Sequence, residues 1–329
     1  MKSIAVVVLN WNGKALLETF LPSVVQHSDE AQVYLVDNAS TDDSVSFVKA
    51  TFPSVKIIQN AGNYGFAQGY NEALQQVEEP IYALVNSDIE VTENWLQPII
   101  THFESHPHTA IAQPKLMDYK NKAFFEYAGA AGGFIDRLGY AYCRGRVFET
   151  LEKDEGQYNQ PAKIFWATGA CFFIRRDVYH HLGGLDASFF AHQEEIDLCW
   201  RAFNQGYDCY YLPDSVVYHL GGATLKTGTP HKTFLNFRNS LSMMLKNLPA
   251  RTLLPILFLR LVLDGIAGIQ FLLQGKGAHT WAIVKAHFSF YGRIRATLAL
   301  RKAPQRKDYY RLHSIVWNYF VKGKKYFER

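Results

Sequence analysis

The sequence predicts an α/β fold in which a mostly parallel sheet carries helices on both faces. Short apolar runs alternate with helical patterns over residues 4–85. Each run is continuously apolar, which is typical of parallel strands buried on both faces. Polar residues follow the four runs, as expected where the strands of such a sheet end at a ligand-binding edge.

The elements follow one another from the amino terminus as alternating strands and helices. β-branched residues dominate the apolar runs, and the segments between them place apolar residues at helical spacing. Asp42-Asp43-Ser44 supplies an N-cap and a negative first turn for the second helix, which reaches Ala50. The predicted strands are 4–9, 33–36, 55–58 and 81–85, and the predicted helices are 16–25, 44–50 and 65–77.

The composition is that of a globular protein. The chain has 329 residues, of which 48% are hydrophobic and 19% charged, enough for one large or two small cores. Its 4 cysteines lie far apart without a C-x-x-C pair, which argues against a disulfide scaffold or a structural zinc site. The short apolar run after Met1 has no cleavage site behind it, so we expect a cytoplasmic protein with reduced thiols.

The charges are distributed unevenly. Residues 1–219 hold 15 Lys and Arg against 27 Asp and Glu, whereas residues 220–329 hold 19 against 3. An acidic half suits a metal ion, and a basic half suits phosphate, nucleic acid or an anionic membrane. Two solvated faces of one protein are the alternative interpretation.

The polar residues after the strands predict a ligand site. The segments are Asn10-Trp11-Asn12-Gly13, Asp37-Asn38-Ala39-Ser40, Asn60-Ala61-Gly62-Asn63 and Asn86-Ser87-Asp88. A single such segment is ordinarily a turn, but four at one edge favour a site. A dinucleotide-binding domain is disfavoured, because no G-x-G-x-x-G follows the first strand.

Two groups of carboxylates are candidates for chemistry. Asp88 follows a buried strand and could ligate Mg²⁺ or Mn²⁺, or it could instead cap a helix that starts near Glu90. Glu194, Glu195 and Asp197 lie within four residues, and their mutual repulsion suits a general base or a metal site. An exposed acidic helix start is the competing interpretation, which the flanking aromatic residues disfavour.

Taken in order, these segments resemble the inverting family 2 glycosyltransferases with a GT-A fold, in particular the rhamnosyltransferase-like bacterial members that build surface polysaccharides. The resemblance covers about residues 4–247. It rests on VVVLNWNG (6–13), VDNASTDDS (36–44), NAGNYGFAQGYN (60–71), LVNSDIEV (84–91), ATGACFFIRRDVY (167–179), FFAHQEEIDLCWR (189–201), VYHLGGATL (217–225) and FRNSLSMMLKN (237–247).

The resemblance implies roles for individual residues. Asn86 stands where the family has the first Asp of its D-x-D motif, which leaves Asp88 as the principal metal carboxylate, and His219 can complete the metal or diphosphate site. The metal would be Mg²⁺ or Mn²⁺. Residues implied to bind the nucleotide or donor are Asn10, Asn12, Asp37, Asn63, Gly65, Asn71, Asn86, Ser87, Thr168 and Gly169.

The resemblance places the catalytic base in the acidic cluster. Glu195 aligns with the family's base, an Asp, so the choice between Glu194 and Glu195 stays open, and Asp197 would orient neighbours or the acceptor. The base would activate an acceptor hydroxyl that displaces the nucleoside diphosphate with inversion. The donor would be dTDP-rhamnose or a UDP-hexose, and the acceptor a glycan or a polyprenyl-diphosphate-linked sugar. A nucleotidyltransferase and a non-catalytic, membrane-recruited scaffold are the alternatives.

The sequence predicts a catalytic domain over 1–248 and a helical, membrane-associating region over 249–329. Residues 253–273 are long enough to span a bilayer, but Arg260 and Asp264 near the middle favour a helix that lies on the membrane. Residues 276–329 mix 13 Lys and Arg with many aromatic residues. We expect contact with anionic lipid at the inner face of the plasma membrane, rather than with nucleic acid.

Overall fold

The computed structural model describes residues 2–221 and 228–328, so that residues 222–225 of the segment 217–225 lie outside the described residues. The amino-terminal part alternates strands and helices as predicted. Its elements are β1 (Ile4–Asn10), α1 (Lys14–Gln26), β2 (Ala31–Asp37), α2 (Ser44–Thr51), β3 (Lys56–Gln59), α3 (Gly65–Ala73) and β4 (Ile81–Asn86).

The rest of the chain adds further strands and a group of long helices. These elements are β5 (Ile89–Val91), α4 (Gln97–Ser105), β6 (Thr109–Asp118), β7 (Gly133–Ile135), β8 (Ala141–Cys143), β9 (Arg146–Val147), β10 (Thr150–Leu151), β11 (Ala162–Ile164), β12 (Cys171–Arg175), α5 (Arg176–Leu182), α6 (Glu194–Asn204), β13 (Asp208–His219), α7 (Pro230–Asn247), α8 (Ala250–Leu273) and α9 (Gly277–Ala299).

In the described part of the chain, nine strands form one sheet in the order β11-β13-β6-β12-β4-β1-β2-β3, with β5 paired to β13. The neighbours among β1 to β4 are all parallel, and so are β6 and β13. Strand β12 runs antiparallel between β4 and β6, and β5 and β11 are antiparallel to β13. The predicted α/β fold of the GT-A type is confirmed, and the antiparallel strands all come after the fourth strand. A small antiparallel sheet, β10-β9-β8-β7, packs beside it.

The continuously apolar strands are explained by burial on both faces of the sheet. Val6 and Val8 of β1 point into a core that includes Leu17 of α1. Val7, between them, points into the opposite core with Tyr70 of α3. Because successive side chains of a strand alternate between faces, a strand covered on both sides needs apolar residues at every position.

Helix α8 buries the two charges near its middle and exposes many of its apolar residues. Arg260 and Asp264 are buried, together with Ile256, Leu257 and Gly268. The exposed large side chains are Leu254, Phe258, Leu259, Val262, Ile266, Ile269, Leu272 and Leu273. Among the helices described, α8 is the one that is long and apolar enough to cross a membrane by length and composition.

The chain beyond α9 returns to the small sheet. The N–H of Ile315 donates to Oδ2 of Asp136 at 2.8 Å, and the hydroxyl of Tyr309 donates to the carbonyl of Arg137 at 2.8 Å. Phe327 packs near Phe134, with ring centroids 5.3 Å apart. Residues on the two sides of position 248 therefore pack against each other. The division into a catalytic domain over 1–248 and a membrane-associating region over 249–329 stays a prediction.

Candidate active site

Asn10 and Asp37 end the neighbouring strands β1 and β2 and stand opposite each other in register. The Nδ2 atom of Asn10 donates to Oδ1 of Asp37 at 3.0 Å, and the N–H of Ser40 donates to Oδ2 at 2.9 Å. These donors compensate the burial of the Asp37 carboxylate, which has no exposed surface. The Oδ1 atom of Asn10 is buried without a hydrogen-bond partner among the described residues, so its capacity to accept a hydrogen bond is unused.

Asn12 ties the loop after β1 to the loop after β2. Its Oδ1 atom accepts the N–H of Thr41 at 2.7 Å, and its own N–H donates to Oγ of Ser40 at 2.9 Å. The following Gly13 has to be glycine, because a Cβ there would lie 2.4 Å from Oδ1 of Asn10. The two loops therefore form one rigid edge beside Asp37.

The loop after β3 reaches the segment that precedes α6. Asn63 accepts the N–H of Gly65 through Oδ1 at 3.0 Å. Gly65 has a φ of 71°, and a Cβ there would lie 3.1 Å from the ring of Phe190. Glycine is thus required for backbone conformation and for space, and the contact brings two of the predicted site segments together.

Asn71 of α3 forms hydrogen bonds to α5 and to the segment that follows α5. Its Nδ2 atom donates to the carbonyl of Leu185 at 2.7 Å, and its Oδ1 atom accepts the N–H of Leu185 at 2.9 Å and the hydroxyl of Tyr179 at 2.6 Å. Both acceptor sites of the amide oxygen and one of the two N–H donors are used in joining α3 to α5 and to the segment after it. The implied contact of Asn71 with the donor stays a prediction, and the bonding supports a structural role.

Asp88 does not cap a helix, so that alternative is wrong. Asn86 and Ser87 lead from β4 to Asp88, and the next element is the strand β5, while α4 begins only at Gln97. Strand β5 pairs with the end of β13, where Ile89 lies opposite His219. The buried carboxylate of Asp88 therefore meets the imidazole, with Oδ1 3.2 Å from Nε2 of His219.

Glu126, which the sequence analysis did not identify, lies on the other side of the imidazole. Its Oε1 atom is 3.1 Å from Nδ1 of His219, and its Oε2 atom accepts the N–H of Ala128 at 2.5 Å. Burial alone would lower the pKa of His219, but the carboxylates of Glu126 and Asp88 outweigh it and raise the pKa to about 10. A single Glu in a stretch without periodicity gives no signal that reasoning from sequence could use.

Asp88 and Glu126 provide carboxylates, which Mg²⁺ and Mn²⁺ accept, and His219 would provide an imidazole nitrogen after losing the proton that the two carboxylates stabilise on it. Across residues 2–221 and 228–328, no three His, Cys, Asp or Glu side chains are arranged as a complete metal site. An incomplete protein set fits a cation that takes its remaining ligands from substrate phosphates and water. The donor set at Asp88 and His219 is compatible with such a cation.

Glu194 and Glu195 form the first turn of α6, and their Oε2 atoms are buried without a hydrogen-bond partner among the described residues. Burial raises the pKa of Glu195, and the N–H groups of Gly169 and of the helix start oppose that shift. Burial and the charge of Glu195 raise the pKa of Glu194 well above its ordinary value. Both pKa values are raised, so the pair holds a proton at a higher pH than an ordinary glutamate does. The competing interpretation, an exposed acidic helix start, is wrong.

Gly169 lies between the two acidic segments of the site, which contain Glu195 and Asp88. A Cβ at this position would lie 3.6 Å from Cδ of Glu195, so the backbone of Gly169 rests against the carboxyl group. The next residue, Ala170, accepts the N–H of Asn86 through its carbonyl at 2.9 Å. The turn before β12 therefore brings the segment of Glu195 next to the segment of Asp88.

Thr168 stabilises that turn from within the core. Its N–H donates to Oε1 of Gln113 at 2.9 Å, and its hydroxyl accepts the N–H of Ala170 at 3.2 Å. The side chain is almost fully buried. A direct contact of the Thr168 side chain with the donor stays a prediction, and the observed bonds support a role in shaping the turn.

Asp197 joins α6 to α7. Its carboxylate has no exposed surface and accepts Nε of Arg201, Nζ of Lys246 and Nδ2 of Asn247, each at 2.8 Å. The expected role in orienting neighbours fits this placement. The expected contact with an acceptor does not, because the paired and buried carboxylate has no surface left to offer.

The sheet and its edge of buried carboxylates, amides and imidazole define an enzyme of the GT-A type. The model of glycosyl transferase family 2 matches residues 3–183, which is more than half of the chain. The chain belongs to that family and is a glycosyltransferase.

The chain is similar to several known proteins. The N-acetylglucosaminyl-diphospho-decaprenol L-rhamnosyltransferase of Mycobacterium tuberculosis is 22% identical over 230 residues, which cover 65% of this chain and 75% of that protein. S. aureus TarS 1-349 in complex with UDP-GlcNAc aligns with a TM-score of 0.58 at 17% identity, covering 100% of this chain and 93% of that one. The mannosyltransferase PcManGT from Pyrobaculum calidifontis, in complex with GDP-Man and Mn²⁺, aligns with a TM-score of 0.54 at 16% identity, covering 88% and 87%.

Proposed function

We propose that this chain is an inverting, metal-assisted glycosyltransferase of cell-surface polysaccharide synthesis. It moves a sugar from a nucleotide-diphosphate donor, dTDP-rhamnose or a UDP-hexose, to a hydroxyl of a glycan or of a polyprenyl-diphosphate-linked acceptor. The lipid-linked acceptor is supported by the name of the mycobacterial relative, and the nucleotide-sugar donor by the ligands in the similar solved structures.

The observation that carries the proposal is the position of Gly169. Its backbone rests against the carboxyl group of Glu195, and the adjacent Ala170 is bonded to Asn86, two residues before Asp88. A transferase needs a base on the acceptor side and a cationic environment for the leaving diphosphate, close enough to act on one sugar. The turn before β12 brings the two parts together.

Glu195 acts as the general base. It accepts the proton of the acceptor hydroxyl while that oxygen forms a bond to the anomeric carbon of the donor sugar. The bond from the anomeric carbon to the diphosphate oxygen breaks, and its electron pair leaves with the nucleoside diphosphate. One in-line displacement inverts the configuration at the anomeric carbon, so no enzyme nucleophile takes part.

The leaving group departs on the side of Asp88 and His219. These two residues would hold Mg²⁺ or Mn²⁺, with Glu126 behind the imidazole. When bound, the cation neutralises charge that develops on the departing diphosphate. Asn10, Asp37 and Asn63 border the edge where the nucleoside would lie.

Thermal unfolding with a panel of ligands tests this function. The panel holds UDP, dTDP, GDP and CMP and their sugars, each with Mn²⁺, with Mg²⁺ or with a chelator. A ligand that binds the native state raises its apparent stability. We expect one nucleotide class to raise the midpoint in the presence of metal and much less with chelator. Folded protein that responds to none of them contradicts the proposal and favours the scaffold.

The same panel separates the remaining alternative. A nucleotidyltransferase would bind nucleoside triphosphates through a basic phosphate loop after β1, and that loop supplies Lys14 as its cation. Adding UTP, dTTP and GTP to the panel covers this case. A stronger response to a triphosphate than to any nucleotide sugar would favour the nucleotidyltransferase.

Helix α8 supports a membrane surface as a partner. Leu254, Phe258 and Leu273 are exposed by 76%, 70% and 84%, while Arg260 and Asp264 face the protein. This is the reverse of a helix on a water-exposed surface, where charges face outward. We propose that α8 lies on the inner face of the plasma membrane with its apolar side in the lipid, and that exposed lysines of α9 and its flanks contact anionic headgroups.

Cosedimentation of the full chain with vesicles tests the membrane contact. We expect binding to vesicles of phosphatidylglycerol and phosphatidylcholine, weaker binding to phosphatidylcholine alone, and loss of binding in Leu254→Gln/Phe258→Gln/Leu273→Gln. Lys276→Gln/Lys285→Gln should weaken binding by about 1 kcal/mol per charge. Lys49→Gln/Lys153→Gln, exposed lysines of the acidic half, is the matched control. If the full chain does not bind anionic vesicles, the proposed membrane contact is contradicted.

A further inference from the structure

The segment that leads into α6 is held in a strained conformation. Phe190 has a φ of 68° and a ψ of −58°, and the N–H of Ala191 donates to the carbonyl of Phe189 at 2.8 Å. These features form a γ-turn of the rare, strained kind. His192 and Gln193 follow with φ of 69° and 76°. Residues with a Cβ persist in such conformations where their surroundings hold them there.

Two neighbouring side chains of α7 hold this segment. The amide Nδ2 of Asn239 donates to the carbonyls of Phe189, Ala191 and His192 at 3.0, 2.9 and 2.8 Å. An Nη2 of Arg238 donates to the carbonyl of Phe189 at 2.9 Å. Both side chains are buried. The carbonyls of the strained turn are therefore bound from one side by a single helix.

The two side chains also orient each other. The Nε atom of Arg238 donates to Oδ1 of Asn239 at 2.8 Å, which turns the NH₂ group of the amide toward the carbonyls. From α9, Nη1 of Arg293 donates to the carbonyl of Ser188 at 2.9 Å, one residue before the turn. We call these contacts of Arg238, Asn239 and Arg293 with the carbonyls of residues 188–192 the clamp. One of its members therefore comes from α9, in the proposed membrane-facing region.

The clamp lies next to the base. Gln193 is the residue before Glu194, and its carbonyl accepts the first helical N–H, from Asp197, at 2.9 Å. The direction in which α6 starts, and with it the position of Glu195, follows from the conformation of Gln193. The body of α6 is fixed separately, through Asp197 and its partners on α7.

We propose that Arg238 and Asn239 are positioning residues for Glu195, which hold residues 189–193 in their strained form and so place the carboxylate against the acceptor. This inference rests on the proposed function, because it takes Glu195 as the base. It assigns a role to the segment 237–247, whose buried polar residues no catalytic step uses.

Asn239→Asp is the sharpest test. Aspartate keeps the size of the side chain and its bond to Arg238, but it replaces the NH₂ donor by an oxygen that faces three carbonyls. We expect kcat to fall by about tenfold or more with donor KM changed by less than about threefold, because positioning affects the transition state more than donor binding. Ser242→Ala is the matched control, since the buried hydroxyl of Ser242 donates to the carbonyl of Arg238 within its own helix.

Amide hydrogen exchange in the full chain gives a readout that does not depend on activity. In Asn239→Asp, exchange in residues 189–195 should accelerate by about tenfold or more, while exchange in the core strand β1 stays as in the wild type. Adding Gln193→Gly should recover part of kcat, since glycine adopts a φ of 76° without steric cost. If Asn239→Asp fails to fold, Arg238→Lys serves as the second variant. It should show a smaller fall in kcat and a smaller acceleration of exchange, because an ammonium cannot bridge Asn239 and the carbonyl of Phe189.

The outcomes separate the clamp from the proposed function. A wild-type enzyme that transfers sugar, combined with unchanged kcat in folded Asn239→Asp or Arg238→Lys, overturns the clamp and leaves the function intact. A rise in donor KM at constant kcat also overturns it. Absence of transfer and of nucleotide binding in the wild type overturns the proposed function, whatever the exchange data show.

Discussion

Arg260 and Asp264 form an ion pair inside the apolar helix α8, with Nε of Arg260 2.8 Å from Oδ1 of Asp264, and the pair faces the turn between β7 and β8 of the small sheet rather than the solvent. The ring of Tyr140 lies against the guanidinium of Arg260, with the ring centroid 3.8 Å from Cζ of Arg260. Nε2 of His287 lies 3.3 Å from Oδ2 of Asp264. The charged side of α8 is thereby fixed to the protein. The apolar side is left free, which makes an interfacial helix physically consistent with a charged pair near its middle.

Asp264→Ala should destabilise the protein strongly, because it leaves the guanidinium of Arg260 buried without its partner. We expect a loss of about 3–5 kcal/mol in the free energy of unfolding. Asp308→Ala, which removes an exposed ion pair with Arg306, should cost about 0–1 kcal/mol. Urea unfolding of both variants measures the difference. Equal and small losses would show that the burial of the Arg260 pair contributes nothing to holding α8.

Glu195→Gln and Glu194→Gln should differ sharply in activity. Loss of a general base lowers kcat by about 10²–10⁴-fold, and we expect this for Glu195→Gln with nucleotide binding retained. Burial and the charge of Glu195 favour the protonated form of Glu194, and glutamine closely resembles a protonated glutamate, so Glu194→Gln should retain most of the activity. Steady-state kinetics on purified variants decide between them. The reverse ranking would assign the base to Glu194.

The pH dependence of kcat/KM should report the raised pKa of Glu195. Burial favours the protonated form, so the carboxyl group takes up its proton at a higher pH than an ordinary glutamate. A base is active when ionised, and activity should therefore fall as the pH decreases through that raised pKa, above 4.5. A rate profile in buffers of constant ionic strength measures this limb. An acidic limb at or below 4.5 would contradict the burial argument.

Asp88→Asn should weaken the binding of nucleotide in the presence of metal and leave the weaker binding in chelator unchanged. The physical reason is that an amide oxygen is a poorer ligand for a hard cation than a carboxylate. Glu90→Gln is the matched control, because Glu90 lies two residues away and pairs with Lys122. Titration calorimetry with and without Mn²⁺ measures both. Equal metal dependence in wild type and Asp88→Asn would remove Asp88 from the metal site.

Gly65→Ala should cost more stability than Gly183→Ala. Both glycines have positive φ, 71° and 83°, which costs an alanine about 1–2 kcal/mol. A Cβ at position 183 meets nothing within 4 Å, whereas one at position 65 meets the ring of Phe190 at 3.1 Å. The excess loss in urea unfolding measures how tightly the loop after β3 packs on the segment before α6. An equal loss would show that Phe190 moves aside freely.

The local elements of the first half could be predicted well because their signals are local. Val6, Val7 and Val8 are apolar at consecutive positions, and this pattern is typical of a strand covered on both faces. Asn10 and Asp37 follow their strands directly, so a parallel sheet necessarily brings them to one edge. The acidic cluster around Glu195 was visible for the same reason, since its members are close in sequence.

Partners from distant parts of the chain could not be predicted in this way. Glu126 meets His219 across 93 positions only because β6 and β13 are neighbours in the sheet. Asn71 resembles a ligand residue in sequence, yet its amide oxygen is fully occupied by Leu185 and Tyr179. Burial also raises the pKa of Glu194 and of Glu195, and sequence spacing contains no information on burial.

The sequence by itself determined the class of fold, the family and the edge of the sheet where the candidate site lies, because hydrophobic periodicity and residues at strand ends are short-range properties. The tertiary structure alone decided that the carboxylate of Asp197 is paired and buried, that Arg260 and Asp264 face the protein, and that Arg238 and Asn239 bind the turn before α6. Those outcomes depend on desolvation and on hydrogen bonds between segments far apart in the chain, and both arise only when the segments pack together.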